Sequence, residues 1–337
     1  MQHLSTVAWI PVQPPVVDWE LRRSGYERAR DAILTAVSPA LQLVDPSISV
    51  VCATSGVPSR ATKLWLQERS LVLPLNFYEF IRIESIVSID VDELRLQNVG
   101  KSIDQKLVRA IAAMRAKDAL EILLLLTELA EPGALNTTQG LVTARFGGAA
   151  FIRPKSAFYE LDDSTESVAE KWPKLSRLDL QAICQWATRT SLYSDDLAAT
   201  RLERSLAAFT QMVVLTQHRD GEVLFRAMQG LEAFYCDGVG DLRKQLSDKV
   251  ALWLGRWQDT KNIVGRLYDL RSKFIHGSAK LEYATPHSSA RKEDEQAMKE
   301  FDEGVTFAAR LLTATLQECI RRNITDVRWS YAYATDA

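Results

Sequence analysis

The chain has 337 residues, and 41 Lys and Arg against 43 Asp and Glu give it a formal net charge of −2 at pH 7. This length is sufficient for two domains with separate cores. The charge balance excludes a global basic field, so any nucleic-acid site must be a local patch. The 4 cysteines are far apart and form no CxxC motif, which favours free thiols in a reducing compartment. Without the basic and apolar regions of a signal peptide at the N-terminus, we expect a cytoplasmic protein.

The N-terminal part combines helix and strand patterns. Pro11, Pro14 and Pro15 predict an irregular segment at 1–15. Asp18 can cap a helix that ends near Val37, where Ser38-Pro39 stops it. Shorter runs rich in β-branched and aromatic residues then predict strands, which are Ile48–Cys52, Lys63–Glu68 and Tyr78–Ile89.

A leucine-rich run within 102–130 predicts a long buried helix, closed by Glu131-Pro132-Gly133. Its apolar part is too short to span a membrane and is interrupted by Glu121 and Glu128. Two further strands follow at Leu141–Phe146 and Ala150–Ile152, joined by a hairpin turn at Gly147-Gly148. A third strand candidate, Ala157–Leu161, precedes a polar loop at 162–167. We expect an α+β N-terminal domain over residues 1–190.

From Asp195 onwards the pattern is helical. The predicted helices are Asp196–Gln217, Glu222–Tyr235, Leu242–Leu254, Asp259–His276 and Lys292–Arg321. Five helices with short turns predict an antiparallel bundle over 191–325, followed by a tail at 326–337. The predicted fold class is mainly α, with this bundle preceded by the α+β domain.

The fourth of these helices carries the polar residues of greatest interest. Ile263, Leu267, Leu270 and Phe274 recur at the spacing of one apolar face, and Gly277 is suited to the left-handed C′ position that ends a helix. Arg271 falls in the middle of the apolar face, where a guanidinium needs a partner.

Glu232 is the predicted partner of Arg271. It lies within the apolar face of the second helix, which is formed by Leu224, Met228, Leu231 and Tyr235. Two charges of opposite sign on otherwise apolar faces predict that the faces pack together. A structural salt bridge without catalytic meaning accounts for the pair equally well.

His276 lies at the last turn of its helix, on the side opposite the apolar face. The partial negative charge of a helix C-terminus favours its protonated form. A histidine near a fixed cation is an arrangement that acid–base chemistry on a phosphodiester would use.

The segment Leu-Tyr-Asp-Leu-Arg-Ser-Lys-Phe-Ile-His-Gly, residues 267–277, resembles the "YdlRSxxvHG" signature of the ApeA-like branch of the HEPN superfamily. Arg271-x4-His276 matches the R-x4-6-H motif of that superfamily. Gly230-Leu231-Glu232 is similar to the "alE" helix of the branch. The resemblance covers about the last 130 residues.

The resemblance implies an endoribonuclease that needs no metal or cofactor. The ribose 2′-OH would attack the adjacent phosphate, with His276 moving protons and Arg271 stabilising the phosphoryl charge. Ser272 could orient His276, Lys273 could add charge, and Tyr268 belongs to the same signature. The implied partner is RNA, for instance tRNA, and the implied setting is antiviral defence by abortive infection.

On one ideal helix the side chains of Arg271 and His276 diverge by about 140°. Two arrangements could bring them to one phosphate: unwinding at Gly277, or donation of the two residues by two protomers. Catalytic HEPN proteins build their site at a homodimer interface, so the resemblance implies a dimer.

The long connection after the motif, 277–290, carries a local basic and aromatic cluster that could hold RNA. Its members are Lys280, Tyr283, His287 and Arg291. Taken singly, each is better explained as part of a solvated surface loop.

Two departures from the family pattern refine the expectation. Ser272 follows the arginine where many active members carry a larger polar residue. Ser278 stands where the R-x4-H-x-Y variant has tyrosine, which argues against a two-gene toxin–antitoxin pair of that type.

A non-catalytic HEPN module, binding RNA or nucleotides or serving in dimerisation, is the main alternative function. A second alternative makes the N-terminal domain a sensor of a phage component that regulates the bundle. Metal-binding and hydrolase motifs such as HExxH or GxSxG are absent from the sequence.

Overall fold

A computed structural model describes residues 1–14, 19–69, 77–97, 103–155, 161, 172–194, 196–214, 220–256, 260–279 and 292–330. The chain forms two compact units. Unit 1 consists of Met1–Lys171, Leu175–Arg189 and Val213–Gln217, and unit 2 of Trp172–Lys174, Thr190–Met212 and His218–Ala337. The described residues are mainly α-helical, and unit 1 adds an antiparallel sheet to its helices.

The sheet of unit 1 is antiparallel, with strand order β2-β3-β1-β5-β6 and with β4 paired to β1. Its strands are β1 Gln2–Gln13, β2 Ile48–Ser55, β3 Glu79–Ile89, β4 Asn136–Thr137, β5 Gly140–Ala144 and β6 Ala149–Ile152. The predictions for β2, β3, β5 and β6 are confirmed to within a few residues, and so is the hairpin at Gly147-Gly148. The third strand candidate and the polar loop after it lie outside the described residues, except for Leu161.

The first segment is not irregular, as its prolines predicted, but forms the inner strand β1. Pro11 lies beyond the last residue that pairs with β5, Trp9. On the other side it is opposite Phe80, whose carbonyl accepts a hydrogen bond from Gly56 N instead. The missing N–H of Pro11 therefore removes no bond of the β1–β3 ladder.

Unit 1 has five described helices, of which the two longest, with 26 residues each, both pack on the sheet. The five are α1 Trp19–Val44, α2 Arg60–Arg69, α3 Val91–Gln97, α4 Gln105–Ala130 and α5 Leu180–Ala187. Asp104 caps α4 by accepting a hydrogen bond from Leu107 N, and the leucine run is buried as predicted. No helix in the described part of the chain has the length and apolar character that a bilayer crossing requires.

Two of these helices contradict the sequence prediction. Helix α1 does not stop at Ser38-Pro39 but continues through Pro39 to Val44, because Val37, Ala40 and Leu41 are all buried there. Residues 63–68, predicted as a strand, belong to helix α2. Asp18, the predicted cap of α1, lies outside the described residues.

The carboxylates that interrupt the leucine run are paired. Glu128 is fully buried, and its Oε2 lies 2.6 Å from Lys155 Nζ. Glu121 bridges to Arg153 at 2.9 Å and to Lys117 at 3.1 Å. Burial of these charges on an apolar helix is tolerated because each has a cationic partner.

Unit 2 is helical, and four of its helices match the predicted ones to within two residues. Its described helices are α6 Arg201–Val214, α7 Asp220–Tyr235, α8 Leu242–Leu254, α9 Thr260–Ile275 and α10 Lys292–Arg321. The first begins at Arg201 rather than at Asp196, because Thr200 caps it by accepting a hydrogen bond from Glu203 N. Helix α7 packs against α8, α9 and α10. Its predicted apolar face of Leu224, Met228, Leu231 and Tyr235 is fully buried.

The segment predicted as a tail at 326–337 packs on unit 2 as far as it is described. Trp329 Nε1 donates a hydrogen bond of 2.8 Å to the carbonyl of Phe234. Its ring lies 5.9 Å from that of Trp253. Residues 326–330 are therefore part of the fold of unit 2.

Candidate functional site

The candidate site begins at the C-terminus of α9, where Gly277 ends the helix. Gly277 adopts φ = 71°, a conformation without steric cost only for glycine. Ser278 N donates to Lys273 O and Gly277 N to Phe274 O, which is the hydrogen-bond pattern of a Schellman cap. The prediction of Gly277 at C′ is confirmed.

Helix α9 is held against its neighbours through glycines that leave room for its side chains. A Cβ at Gly221 of α7 would lie 2.2 Å from the ring of Phe274, and one at Gly304 of α10 would lie 2.2 Å from Leu270 Cδ2. Val264 and Leu267 are buried on the same side. The apolar face of α9 thus fixes the rotation of the helix and with it the direction of Arg271.

The predicted ion pair between Arg271 and Glu232 is present. Arg271 Nη2 lies 3.4 Å from Glu232 Oε2, with the two side chains 25% and 21% exposed. Arg271 also lies over the ring of Tyr268, at 6.0 Å from its centroid. The position of both charges on apolar faces suggested deeper burial than the structure shows. Both side chains lie at the edge of the helix interface, where the guanidinium keeps access to solvent.

The interactions of Glu232 only partly compensate the free-energy cost of removing its carboxylate from water. Its Oε1 is buried and accepts no hydrogen bond from any described residue. Burial raises the pKa of Glu232, and the nearby Arg271 lowers it by less. The carboxylate therefore pairs with Arg271 without being stabilised in its charged form.

His276 is exposed at the end of the same helix. Its backbone N donates a 3.0 Å hydrogen bond to Ser272 O, so the chain is still helical there and leaves the helix only at Gly277. Unwinding at Gly277 therefore does not redirect His276. Within one chain the side chains of Arg271 and His276 keep the divergence of about 140° expected for five residues of helix.

Ser272 and Lys273 contribute to this end of α9 through their main chains. Ser272 O accepts the bond from His276, and Lys273 O accepts bonds from Ser278 and Ala279. The side chain of Lys273 is exposed, and that of Ser272 is half-buried. No hydrogen bond joins Ser272 Oγ to the His276 ring among the described residues.

The basic and aromatic cluster predicted after the motif cannot be placed beside it. Lys280, Tyr283, His287 and Arg291 all lie outside the described residues. The structure thus brings together Glu232, Tyr268 and Arg271, while His276 lies five residues beyond Arg271 on another side of the helix.

Sequence reasoning missed residues that position the site. Arg243 of α8 pairs with Asp269 of the motif at 3.1 Å and lies over Gly265. Gly221 and Gly304 seat Phe274 and Leu270. The available signal was a glycine at 265 and at 304, each inside a predicted helix, where glycine costs about 1 kcal/mol relative to alanine and so indicates close packing. Gly221 lies just before the predicted start of its helix and gave no such signal.

Comparison of the chain with protein-family models, with curated proteins and with solved structures found no match. Within the residues that the structure describes, no three His, Cys, Asp or Glu side chains come together as a group that could hold a metal ion.

Proposed function

We propose that the protein is a HEPN-type endoribonuclease that cleaves RNA through attack of the ribose 2′-OH. The observation that carries the proposal is the C-terminal end of α9. Arg271 is fixed there by Glu232 with a quarter of its side chain exposed, and the exposed His276 follows five residues later. A solvent-accessible cation and a titratable histidine on one rigid helix are the groups that this reaction needs.

The proposed reaction uses only groups of the protein and of the RNA. An imidazole of His276 takes the proton of the 2′-OH, whose oxygen attacks the adjacent phosphorus. Arg271 stabilises the charge that develops on the phosphorane oxygens, and an imidazolium of His276 protonates the departing 5′-oxygen. The products are a 2′,3′-cyclic phosphate and a 5′-hydroxyl.

We propose that two copies of the chain complete the site. The helical path through His276 disfavours a site made by one chain, because the two side chains point apart. Two copies would place Arg271 of one copy near His276 of the other. The imidazolium formed when that His276 takes the 2′-OH proton can then protonate the 5′-oxygen.

The test is incubation of purified wild-type protein and His276→Ala with total RNA and with tRNA, in EDTA. We expect cleavage by the wild type with 2′,3′-cyclic phosphate ends, and no cleavage by His276→Ala. His3→Ala is the matched control, because His3 is also an exposed histidine, and it should cleave like the wild type. Equal cleavage by wild type and His276→Ala would overturn the assignment.

A non-catalytic HEPN module that binds RNA or nucleotides, or mediates dimerisation, is the second candidate. It is favoured by the Arg271–Glu232 pair, since an arginine held by a carboxylate can be purely architectural. If purified protein binds RNA without cleaving it, and remains inactive in cells challenged with phage, this second function replaces the first.

The setting we propose is cytoplasmic antiviral defence, in which unit 1 senses a phage component and thereby controls unit 2. RNA cleavage that is higher in phage-infected cells than in uninfected cells with the same amount of the protein would support this regulation. Equal cleavage in infected and uninfected cells would contradict it.

A further inference from the structure

The β5–β6 hairpin of unit 1 carries an aromatic side chain that the fold does not need. Phe146 is 75% exposed, so its ring contributes little to the core. It also adopts φ = 66° at the third residue of the turn closed by the hydrogen bond from Gly147 N to Ala144 O. Glycine or asparagine is favoured at such a position, and a bulky residue there is strained.

Two arginines lie over this ring. The guanidinium carbon of Arg145 is 4.8 Å from the ring centroid, and that of Arg109 is 5.8 Å away. Arg109 Nη1 also donates a 2.8 Å hydrogen bond to Phe146 O, which fixes the turn against α4. Gly148 allows this approach, because a Cβ there would lie 2.7 Å from the backbone of Arg109.

The charge of this cluster is not neutralised locally. Neither Arg109 nor Arg145 has a carboxylate partner among the described residues. Lys106, exposed on α4, lies one turn before Arg109 and adds a third cation. In a chain with a net charge of −2, such a cluster forms the kind of local patch that nucleic-acid binding requires.

We propose that Phe146, Arg109, Arg145 and Lys106 form a docking platform for single-stranded nucleic acid. An open ring offers a surface on which a base of any sequence can stack, and the cations beside it can hold the flanking phosphates. This explains why a strained turn position keeps a phenylalanine whose burial gives nothing in return. Binding here goes beyond cleavage at Arg271 and His276 and does not depend on it.

A lipid surface fits the cluster less well. Inserting the ring of Phe146 into hydrocarbon would carry the two guanidinium groups above it out of water, and burying unpaired charges is unfavourable. If a base stacks on the ring instead, both guanidinium groups stay in water beside the phosphates of the nucleic acid.

The test uses the full-length chain with His276→Ala, so that bound RNA is not cleaved. A fluorescein-labelled 20-nucleotide single-stranded RNA is titrated, and its anisotropy is measured against Phe146→Gly and Phe146→Trp in the same background. We expect Phe146→Gly to weaken binding about 10-fold, the loss of one stacked base, and Phe146→Trp to retain it. Because glycine relieves the strained φ, Phe146→Gly should melt no lower than its parent, which separates lost binding from lost folding.

Arg145→Gln tests the electrostatic part. It should weaken binding and reduce the slope of log K against log salt by about 0.7, the value for one phosphate contact on a single strand. The matched control for the substitution of Phe146 is Phe225→Ala. Phe225 is also an exposed aromatic residue, and its ring centroid lies 5.5 Å from the guanidinium carbon of Arg226. This control variant should bind RNA like the parent.

Unchanged RNA affinity in Phe146→Gly and Arg145→Gln would overturn the proposal. A second arm uses vesicles of phosphatidylserine and phosphatidylcholine. If both variants lose vesicle binding but keep RNA binding, the platform is a membrane contact and the nucleic-acid assignment is wrong. If RNA cleavage by the wild type persists while Phe146→Gly binds normally, the platform fails and the proposed nuclease stands.

Discussion

At the scale of single residues, Arg271 does not fully offset the free-energy cost of burying the charged carboxylate of Glu232. Burial raises the pKa of Glu232 from its ordinary value of 4.5, and Arg271 only partly offsets this. In the pH window just above 4.5 the folded state therefore binds more protons than the unfolded state. The stability that this group contributes is present below its ordinary pKa and is lost as pH rises through the raised value.

Removing the cation should therefore cost more than removing the carboxylate. In Arg271→Met, Glu232 keeps its burial and loses its partner, so we expect destabilisation of about 1–3 kcal/mol at pH 7.5. The loss should be smaller at pH 5.5, because a protonated Glu232 needs no cation. Urea unfolding at the two pH values measures both.

Glu232→Gln provides the control for this effect. Alone it should change stability by less than about 1 kcal/mol, because the amide carries no buried charge. Combined with Arg271→Met it should recover most of the lost stability and remove the pH dependence. A double variant no more stable than Arg271→Met would show that ion pairing is not what Arg271 contributes to the fold.

At the scale of secondary-structure elements, the cap of α9 sets where the helix stops and where His276 lies. Replacing Gly277 with Ala introduces a Cβ at φ = 71°, and nothing lies within 4 Å of that position. We expect a loss of about 1 kcal/mol from backbone strain alone, read as a lower Tm. Gly277→Asn should lose less, because asparagine tolerates the left-handed region, and equal losses would contradict this account.

The helices of unit 2 could be predicted from sequence because local signals and packing agree there. Leu242–Leu254 begins after the capping Asp241 and ends before Gly255, and the predicted bounds match. The Arg271–Glu232 pair followed from the same periodicity, since each charge interrupts an apolar face. The periodicity could not predict how deeply the two side chains are buried, because their burial depends on how α7 and α9 pack against each other.

The failures in unit 1 occur where tertiary contacts or an overlooked cap override local patterns. The short run at 63–68 predicted a strand, but Ser59 Oγ accepts a hydrogen bond from Thr62 N, which is the hydrogen bond of a helix cap. Leu66 is buried while Leu64 is half exposed, as on an amphipathic helix. Pro11 and Pro39 were interpreted as breakers. Pro11, however, removes no bond of the β1–β3 ladder, and burial of Val37, Ala40 and Leu41 carries α1 past Pro39.

At the scale of the whole molecule, a composite site makes a prediction that a single-chain site does not. Arg271→Ala and His276→Ala should each be inactive as homodimers. In a mixed dimer, the His276→Ala copy supplies an intact Arg271, and the Arg271→Ala copy supplies an intact His276. One of the two symmetric sites then carries both groups, whereas a site made by one chain would be broken in both copies.

The two variants should therefore complement each other when their subunits are exchanged. Random mixing makes about half of the dimers mixed, and one site in each is intact, so RNA cleavage should return to about a quarter of the wild-type rate. Copies that carry different affinity tags allow mixed dimers to be isolated, and these should reach about half. Isolated mixed dimers that remain inactive would place both groups of a working site in one chain, and a chain that stays monomeric at assay concentration would exclude the composite site altogether.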